Sequence, residues 1–197
     1  MTNRKYLLIA LFLMLLPLLV VLIITAIPAP AHSFSLFSEP PAAVTCFKNC
    51  RLDSRGYDLI KNFEGYSPFV YKDSVGIPTI GFGHVVRAGE RFTQPLIGPD
   101  AQTLLEKDVA GTERGVNALV ATILQPNQFD ALISFSFNLG TTTLKKSTLL
   151  KRVNAKLNDQ VPPQFMRYVN AGGHKLPGLV ARRRLEAQTY AMKLSEE

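Results

Sequence analysis

The chain has 197 residues and a formal net charge of +7, and 47% of its residues are hydrophobic. This length suits one globular domain with an additional segment. The positive surplus suits an anionic cell envelope, and it would equally suit nucleic acid or an ordinary solvated surface. No basic run is interleaved with aromatic residues, so we predict no nucleic acid partner.

The N-terminus predicts a membrane segment. Residues 6–27 carry no charge, and at about 1.5 Å per residue this run gives roughly 33 Å of helix, enough to cross a bilayer. Arg4 and Lys5 precede the run, which predicts that the N-terminus stays in the cytoplasm and the rest of the chain is exported. We therefore predict that residues 1–31 form a cytoplasmic stub and a transmembrane or signal segment in the inner membrane.

Two other fates of this segment stay open. Ala29-Pro30-Ala31 is a small-x-small site directly after the apolar run, so the protein would be secreted after cleavage near Ala31 if the segment is a signal peptide. The second alternative is an anchor that later leaves the membrane. That exit is costly, because the run has no glycine and only Ala10 and Ala26 as small residues.

Residues 32–50 predict a Pro/Ser-rich linker that contains the two cysteines of the chain, Cys46 and Cys50. In an exported protein, two cysteines four residues apart favour a local disulfide. They make a poor zinc site because no histidine or second cysteine pair is near, and no metal site is predicted.

Residues 51–197 predict one domain that begins with a short helix and a small sheet. Ser54 is predicted to cap a helix that Gly65 closes. Short aromatic and β-branched runs between residues 69 and 92 are broken by glycines, which is typical of a small antiparallel sheet.

Helical periodicity returns from Pro99, with a kink expected near Gly111. Pro126 is predicted to open a helix that Gly140 ends, and this helix is apolar over so wide an arc that we assign it to the centre of the core. Further helices are predicted over residues 144–157, 165–168 and 177–194. The order of these elements predicts an α+β fold.

Two acidic residues, Glu64 and Asp73, are candidates for the chemistry. Glu64 ends a predicted helix, where the negative end of the helix dipole disfavours a carboxylate, and glycoside cleavage requires a carboxyl that keeps its proton. Asp73 lies in a predicted turn. A solvated Glu before a glycine, and a turn Asp bonded to its own backbone, are the alternatives.

The strand predicted after this turn alternates between two faces. Thr79, Gly81 and Gly83 share one face, which we predict to be an open floor where a sugar approaches the backbone. His84 lies on the other face with apolar residues, so we expect a buried histidine paired with an acid rather than a catalytic base.

The spacing of Glu64, Asp73 and Thr79 within F-E-G, Y-K-D-S-V-G and P-T-I-G-F-G-H resembles the phage T4-type lysozyme family, glycoside hydrolase family 24, in its lambdoid endolysin branch. The likeness continues through Q-P-N-Q-F-D-A-L-I-S-F-S-F-N-L-G, K-S-T-L-L and A-G-G-H-K-L-P-G-L-V-A-R-R-R. It covers nearly all of residues 52–195.

This resemblance implies a lysozyme-like fold, with a small antiparallel sheet lobe packed beside a mainly helical lobe. It implies hydrolysis of the β-1,4 bond between N-acetylmuramic acid and N-acetylglucosamine in peptidoglycan. Glu64 would be the general acid, with Asp73 and Thr79 positioning the attacking water. No metal or organic cofactor is implied, and the catalytic domain is expected to be a monomer.

Further residues are candidates for sugar contacts. The exposed floor at Gly81 and Gly83, Asn138, Tyr168 at a position that is commonly Trp in the family, and Arg182 are predicted to bind substrate. A solvated arginine face is the alternative for residues 182–184. A silent peptidoglycan-binding protein and a lytic transglycosylase are the alternative functions, and either host lysis or wall remodelling fits the chemistry.

Overall fold

The computed structural model describes residues 45–73 and 76–193. These residues confirm the α+β fold, with a small antiparallel sheet and a mainly helical lobe. The predicted membrane segment, residues 6–27, lies outside them. Among the helices of the described part, none has the length and apolarity needed to cross a bilayer.

The described elements follow one another as a helix, a three-stranded sheet and then a series of helices interrupted by one hairpin. The order β1-β2-β3 is antiparallel throughout, and β4 pairs with β5. The elements are α1 Ser54–Glu64, β1 Ser67–Lys72, β2 Pro78–Gly81, β3 His84–Val85, α2 Gly98–Leu119, α3 Pro126–Leu139, α4 Thr141–Lys146, α5 Thr148–Asn154, a 3-10 turn Asn158–Gln160, α6 Pro162–Phe165, β4 Asn170–Ala171, β5 His174–Lys175 and α7 Pro177–Ala191.

Helix α3 is the centre of the core, as its composition predicted. Pro126 occupies the first turn and Gly140 ends the helix with a positive φ of 84°. Nine of its residues are buried, including Phe129, Leu132 and Phe135, because α1, α2 and α7 all pack against it. A helix buried on nearly every side needs the wide apolar arc that the sequence shows.

Helix α1 is capped by Asp53 and not by Ser54, so that prediction was wrong by one residue. The Asp53 carboxylate accepts hydrogen bonds from the N–H groups of Arg55 and Gly56. The backbone N–H of Asp53 also faces the buried carboxyl of Asp130, 3.5 Å away. Burial, reinforced by the charge of Asp53, raises the pKa of Asp130 to about 8, so its carboxyl is protonated at neutral pH.

Gly56 lets α1 approach α3 closely. A β-carbon at this position would lie 2.6 Å from Oδ1 of Asp130 and 2.3 Å from Cδ1 of Leu52. Such distances are shorter than van der Waals contact, so a side chain at position 56 would displace the side chains of Leu52 and Asp130.

Two helix predictions differ from the structure in their bounds, and a third concerned a kink. Residues 144–157 form parts of two helices, because the Ser147 hydroxyl accepts from the N–H of Leu150 and starts α5 afresh. The helix predicted at residues 165–168 instead ends at Phe165. Helix α2 continues through Gly111 without interruption.

Residues 45–50 belong to the globular part, so the linker predicted to run to residue 50 ends earlier. Cys46 and Cys50 form the expected disulfide. Cys46 also makes two backbone hydrogen bonds with Leu124, and Cys50 is buried in the main core. This packing could not be predicted, because the Pro-rich segment around the two cysteines has no hydrophobic periodicity.

Candidate active site

Glu64 is the last residue of α1, and its carboxylate is held by a buried arginine. Arg182 Nη1 donates to Oε1 of Glu64 at 2.7 Å, while the Glu64 side chain keeps 22% of its surface exposed. The turn between β2 and β3 passes beside the other oxygen, since a β-carbon on Gly83 would lie 3.8 Å from Oε2. Glu64 is therefore fixed from one side and reachable from another.

The structure corrects both predictions for Arg182, because its guanidinium is neither a solvated group nor open to a sugar. Its side chain is only 4% exposed, and its remaining nitrogens donate to the Ser134 carbonyl at 3.1 Å and to Glu186 at 3.3 Å. The cation also lies over the ring of Phe63. Arg182 is thus a partner of Glu64 that faces the protein interior.

A buried ionic cluster supports this arginine. Glu186 is fully buried, and its Oε1 accepts from the Ser134 hydroxyl at 2.8 Å and from Arg183 Nη2 at 2.9 Å. Its Oε2 lies 2.8 Å from Nε of Arg183. Sequence reasoning missed this cluster, although a Glu three and four residues after two arginines is the spacing at which helical ion pairs form.

Asp73 and Thr79 both hydrogen-bond the backbone of one residue, Ile77. Oδ1 of Asp73 accepts from the N–H of Ile77 at 2.8 Å, and the Thr79 hydroxyl donates to the carbonyl of Ile77 at 3.1 Å. Thr79 pairs with Tyr71 in the sheet, and the same strand β2 leads to Gly83 beside Glu64. The three predicted catalytic residues therefore belong to a single unit made of the end of α1 and the small sheet.

The open floor predicted on this strand is wrong for two of its three residues. Thr79 is only 4% exposed, and Gly81 is buried because Leu96 packs where its β-carbon would be, at 2.9 Å. The strand ends at Gly81, so the turn before β3 interrupts the alternation that the prediction assumed. Gly83 alone of these three residues is exposed.

The described contacts of Asn138 and Tyr168 are with the helical lobe. Asn138 is exposed, and its side-chain oxygen accepts from Arg183 at 3.0 Å. The half-buried ring of Tyr168 packs edge-to-face on Phe135 with 4.9 Å between ring centroids. Roles for these two residues in sugar binding stay predictions.

His84 is a buried histidine paired with acids, which confirms the sequence prediction. Its Nδ1 lies 2.9 Å from Oδ1 of Asp108, and its Nε2 lies 2.9 Å from Oε2 of Glu90. Both partners only accept, so both ring nitrogens must carry hydrogen and the ring must be cationic. Burial alone lowers the pKa of His84, but the hydrogen bonds to Glu90 and Asp108 outweigh it and raise the pKa.

This arrangement predicts that stability falls as pH rises past the ordinary pKa of histidine. Because the folded pKa lies above the unfolded value of 6.5, the contribution of His84 is complete below pH 6.5 and is lost as pH rises through the folded pKa. Urea unfolding of the wild type and of His84→Gln should show free energies that converge at alkaline pH. Parallel pH profiles of the two proteins would contradict this role.

Within residues 45–73 and 76–193, no group of three or more His, Cys, Asp or Glu side chains is arranged to hold a metal ion. The side chains described at the site are a carboxyl held by Arg182 and a second carboxyl next to a hydroxyl.

Comparison with known sequences gives a consistent family. A sequence model described as "Phage lysozyme" matches residues 61–186, which is more than half of the chain. The chain is 33% identical over 144 residues to the endolysin of Salmonella phage P22, covering 71% of this chain and 97% of that protein. It is 36% identical to the endolysin of Bacillus phage B103, of which it spans only about half, 53%.

Two further similarities are to a solved structure and to a relative with a different description. A solved structure of P22 lysozyme matches with a TM-score of 0.67 and 31% identity, covering 72% of this chain and 99% of that one. The "SAR-endolysin" of Escherichia phage Mu is 32% identical over 138 residues, covering 69% of this chain and 78% of that protein.

Proposed function

The chain belongs to the phage lysozyme family, and on that premise we propose that it is an endolysin-type muramidase that cleaves peptidoglycan. The bond attacked is the β-1,4 linkage between N-acetylmuramic acid and N-acetylglucosamine. The observation that carries the proposal is the partly exposed Glu64 carboxyl, which the Arg182 guanidinium orients beside the small sheet. The matched residues 61–186 include this pair together with Asp73 and Thr79.

In the proposed mechanism, Glu64 is the general acid and carries its proton on Oε2, because Oε1 accepts from Arg182. This proton passes to the glycosidic oxygen as the bond to the anomeric carbon breaks, and water attacks that carbon from the opposite face. The Asp73 carboxylate takes the proton of the water, and the Thr79 hydroxyl helps to orient it. Such a reaction inverts the anomeric configuration, and inverting enzymes hold their two carboxyl groups about 6.5–9.5 Å apart.

The backbone of Ile77 supports this division of roles. Its carbonyl accepts a hydrogen bond from the Thr79 hydroxyl and its N–H donates one to Asp73, so both side chains are anchored to the same residue before substrate arrives. A preorganised pair of this kind lowers the cost of positioning water in the transition state. Asp73 is partly exposed, whereas Thr79 is nearly buried, so Asp73 is the member that would meet the water directly.

The products of digestion test the proposal. We expect muropeptides with free reducing ends and a mass that includes one added water per cleaved bond, detected by a reducing-sugar assay and mass spectrometry. Anhydro-sugar products would instead identify a lytic transglycosylase. Co-sedimentation with peptidoglycan without any released product would identify a silent binding protein, and either result would overturn the proposed hydrolysis.

We further propose that residues 6–27 hold the protein in the inner membrane, with the catalytic domain, residues 51–197 with the Cys46–Cys50 loop, in the periplasm as a monomer. The similarity to the SAR-endolysin of phage Mu supports a membrane-linked route. N-terminal sequencing of membrane and soluble fractions should find an intact N-terminus at Met1 in the membrane fraction. A soluble protein that starts at His32 would contradict retention and support cleavage.

A further inference from the structure

The Cys46–Cys50 loop is clamped to helix α2, although it precedes the first helix of the domain. The Asn117 side chain both accepts from the backbone N–H of Cys50 and donates to its carbonyl, each at 3.0 Å. The buried carboxylate of Glu113 accepts from the N–H of Leu52 at 2.7 Å. Together with the disulfide, these contacts fix a short loop in which Lys48 has a positive φ of 62°, a conformation that is uncommon for residues other than glycine.

Two large apolar side chains are exposed next to the bridge that ties this loop to the domain. Cys46 and Leu124 form an isolated antiparallel bridge, and Phe47 follows one of these residues while Ile123 precedes the other. Phe47 is 46% exposed and Ile123 is 62% exposed. Exposed apolar side chains flanking a fixed bridge are unfavourable in water unless a partner covers them.

Beside this pair lies a cavity of about 540 Å³ with a surplus of positive charge. Its lining includes Lys48, Arg51 and Arg114. The single carboxylate in the lining is Glu113, which already pairs with Arg51 at 3.1 Å. The cavity therefore favours an anion, and its volume is within the range of about 300–1,000 Å³ that small-molecule pockets occupy.

We propose that this docking face, made of Phe47, Lys48, Arg51, Arg114 and Ile123, binds an anionic phospholipid surface. A headgroup phosphate would enter the cationic cavity, and the two apolar side chains would enter the boundary between headgroups and acyl chains. Apolar side chains flanked by lysine and arginine are the combination that holds proteins at a membrane interface. A cationic cavity alone, or two exposed apolar side chains alone, would not favour a bilayer over other ligands. The two features next to each other do.

The docking face is separate from the proposed catalytic site. Arg51 precedes helix α1 and Glu64 ends it, so at about 1.5 Å per residue the length of α1 puts roughly 16 Å between them. The proposal therefore goes beyond hydrolysis and does not depend on it. The position in the chain is also suitable, since the 17 residues between the predicted membrane segment and Thr45 could span at most roughly 60 Å when extended.

The absence of tryptophan from the whole chain allows a direct test in the full-length protein. Phe47→Trp places a single fluorophore in the docking face, and Phe69→Trp places a matched one on the exposed side of β1, where Phe69 is 62% exposed. Both variants keep the same N-terminal segment, so membrane association through residues 6–27 is common to both. With vesicles of phosphatidylglycerol and phosphatidylethanolamine, we expect a blue shift and quenching by brominated acyl chains for Phe47→Trp only.

Removing cations tests the electrostatic half of the proposal. In the Phe47→Trp background, Lys48→Gln and Arg114→Gln should each weaken the lipid contact about fivefold, because one cation near an anionic surface contributes about that factor. Lys145→Gln and Lys146→Gln, which alter exposed cations of α4, are the matched controls and should change nothing.

Three results would overturn the proposal. The first is solvent-like fluorescence of Phe47→Trp with anionic vesicles, and the second is an equal response of both tryptophan variants. The third is a shift caused by soluble peptidoglycan fragments and not by vesicles, which would assign the cavity to acidic peptides of the wall. Adding Glu64→Gln to the Phe47→Trp protein should leave the lipid signal intact, so failure of the proposed catalysis is distinguishable from failure of the docking face.

Discussion

Replacing Glu64 with glutamine should slow peptidoglycan cleavage by about 10² to 10⁴-fold, the range that a positioned general acid contributes. Glutamine has nearly the same shape, and its amide oxygen can still accept from Arg182 Nη1. It has no carboxyl proton to give to the leaving oxygen. The loss should therefore appear in turbidity and reducing-sugar assays, while the circular dichroism spectrum and melting temperature stay near those of the wild type.

Asp58→Asn is the matched control for this substitution. Asp58 lies on the same helix, its side chain is 76% exposed, and its described ion pair is a loose one with Lys61 at 3.8 Å. The activity of the Asp58→Asn protein should equal that of the wild type. Full activity in Glu64→Gln would remove Glu64 from the reaction, and unfolding of Glu64→Gln would show that the carboxylate is needed to hold the buried Arg182.

The second large effect concerns folding, where we expect Glu186→Gln to lower the free energy of unfolding by about 3–5 kcal/mol. Glu186 is the buried anion between Arg182 and Arg183, and the Arg183 side chain is also fully buried. Without this charge, two neighbouring guanidinium groups remain in the interior, and Glu64 is their remaining ionic partner among the described residues. Removing one member of a buried ionic group lowers the stability by more than the whole group contributes to it. The charges that remain are buried away from water and no longer have an opposite charge to offset the lost hydration.

Denaturation by urea would measure this cost, with Glu106→Gln as the control. Glu106 is an exposed residue of α2 whose described hydrogen bond is with Gln102 in the preceding turn, so its charge should contribute within about 1 kcal/mol. A loss below about 1 kcal/mol for Glu186→Gln would mean that the two arginines are compensated without Glu186.

The elements that could be predicted are those whose signals are local. Pro126 and Gly140 fixed the ends of α3 because each acts through its own backbone geometry. His84 was placed in the interior from its apolar neighbours, and the acids that pair with it could be expected because a buried ring needs partners. The family was read from three polar residues at fixed spacing.

What could not be predicted depends on contacts between distant parts of the chain. Arg182 lies 118 residues from Glu64, and arginines on a helix are ordinarily solvated, so nothing local indicated that this one is buried. The predicted exposure of β2 was also wrong. The alternation of faces holds for a regular strand, and it gives no sign that Leu96 covers Gly81. The Cys46–Cys50 loop joins the core through Leu124, a contact without periodicity.

The contact at Gly56 bears on the alignment of the proposed catalytic acid. Glu64 lies eight positions further along the same helix, while the Ser134 carbonyl, which holds the Arg182 guanidinium, belongs to the helix on the other side of that contact. A methyl group at position 56 would press on the side chains of Leu52 and Asp130, which lie between the two helices. Any resulting shift of α1 would change the distance between the proposed proton donor and the cation that orients it, so the close approach at Gly56 would set that distance.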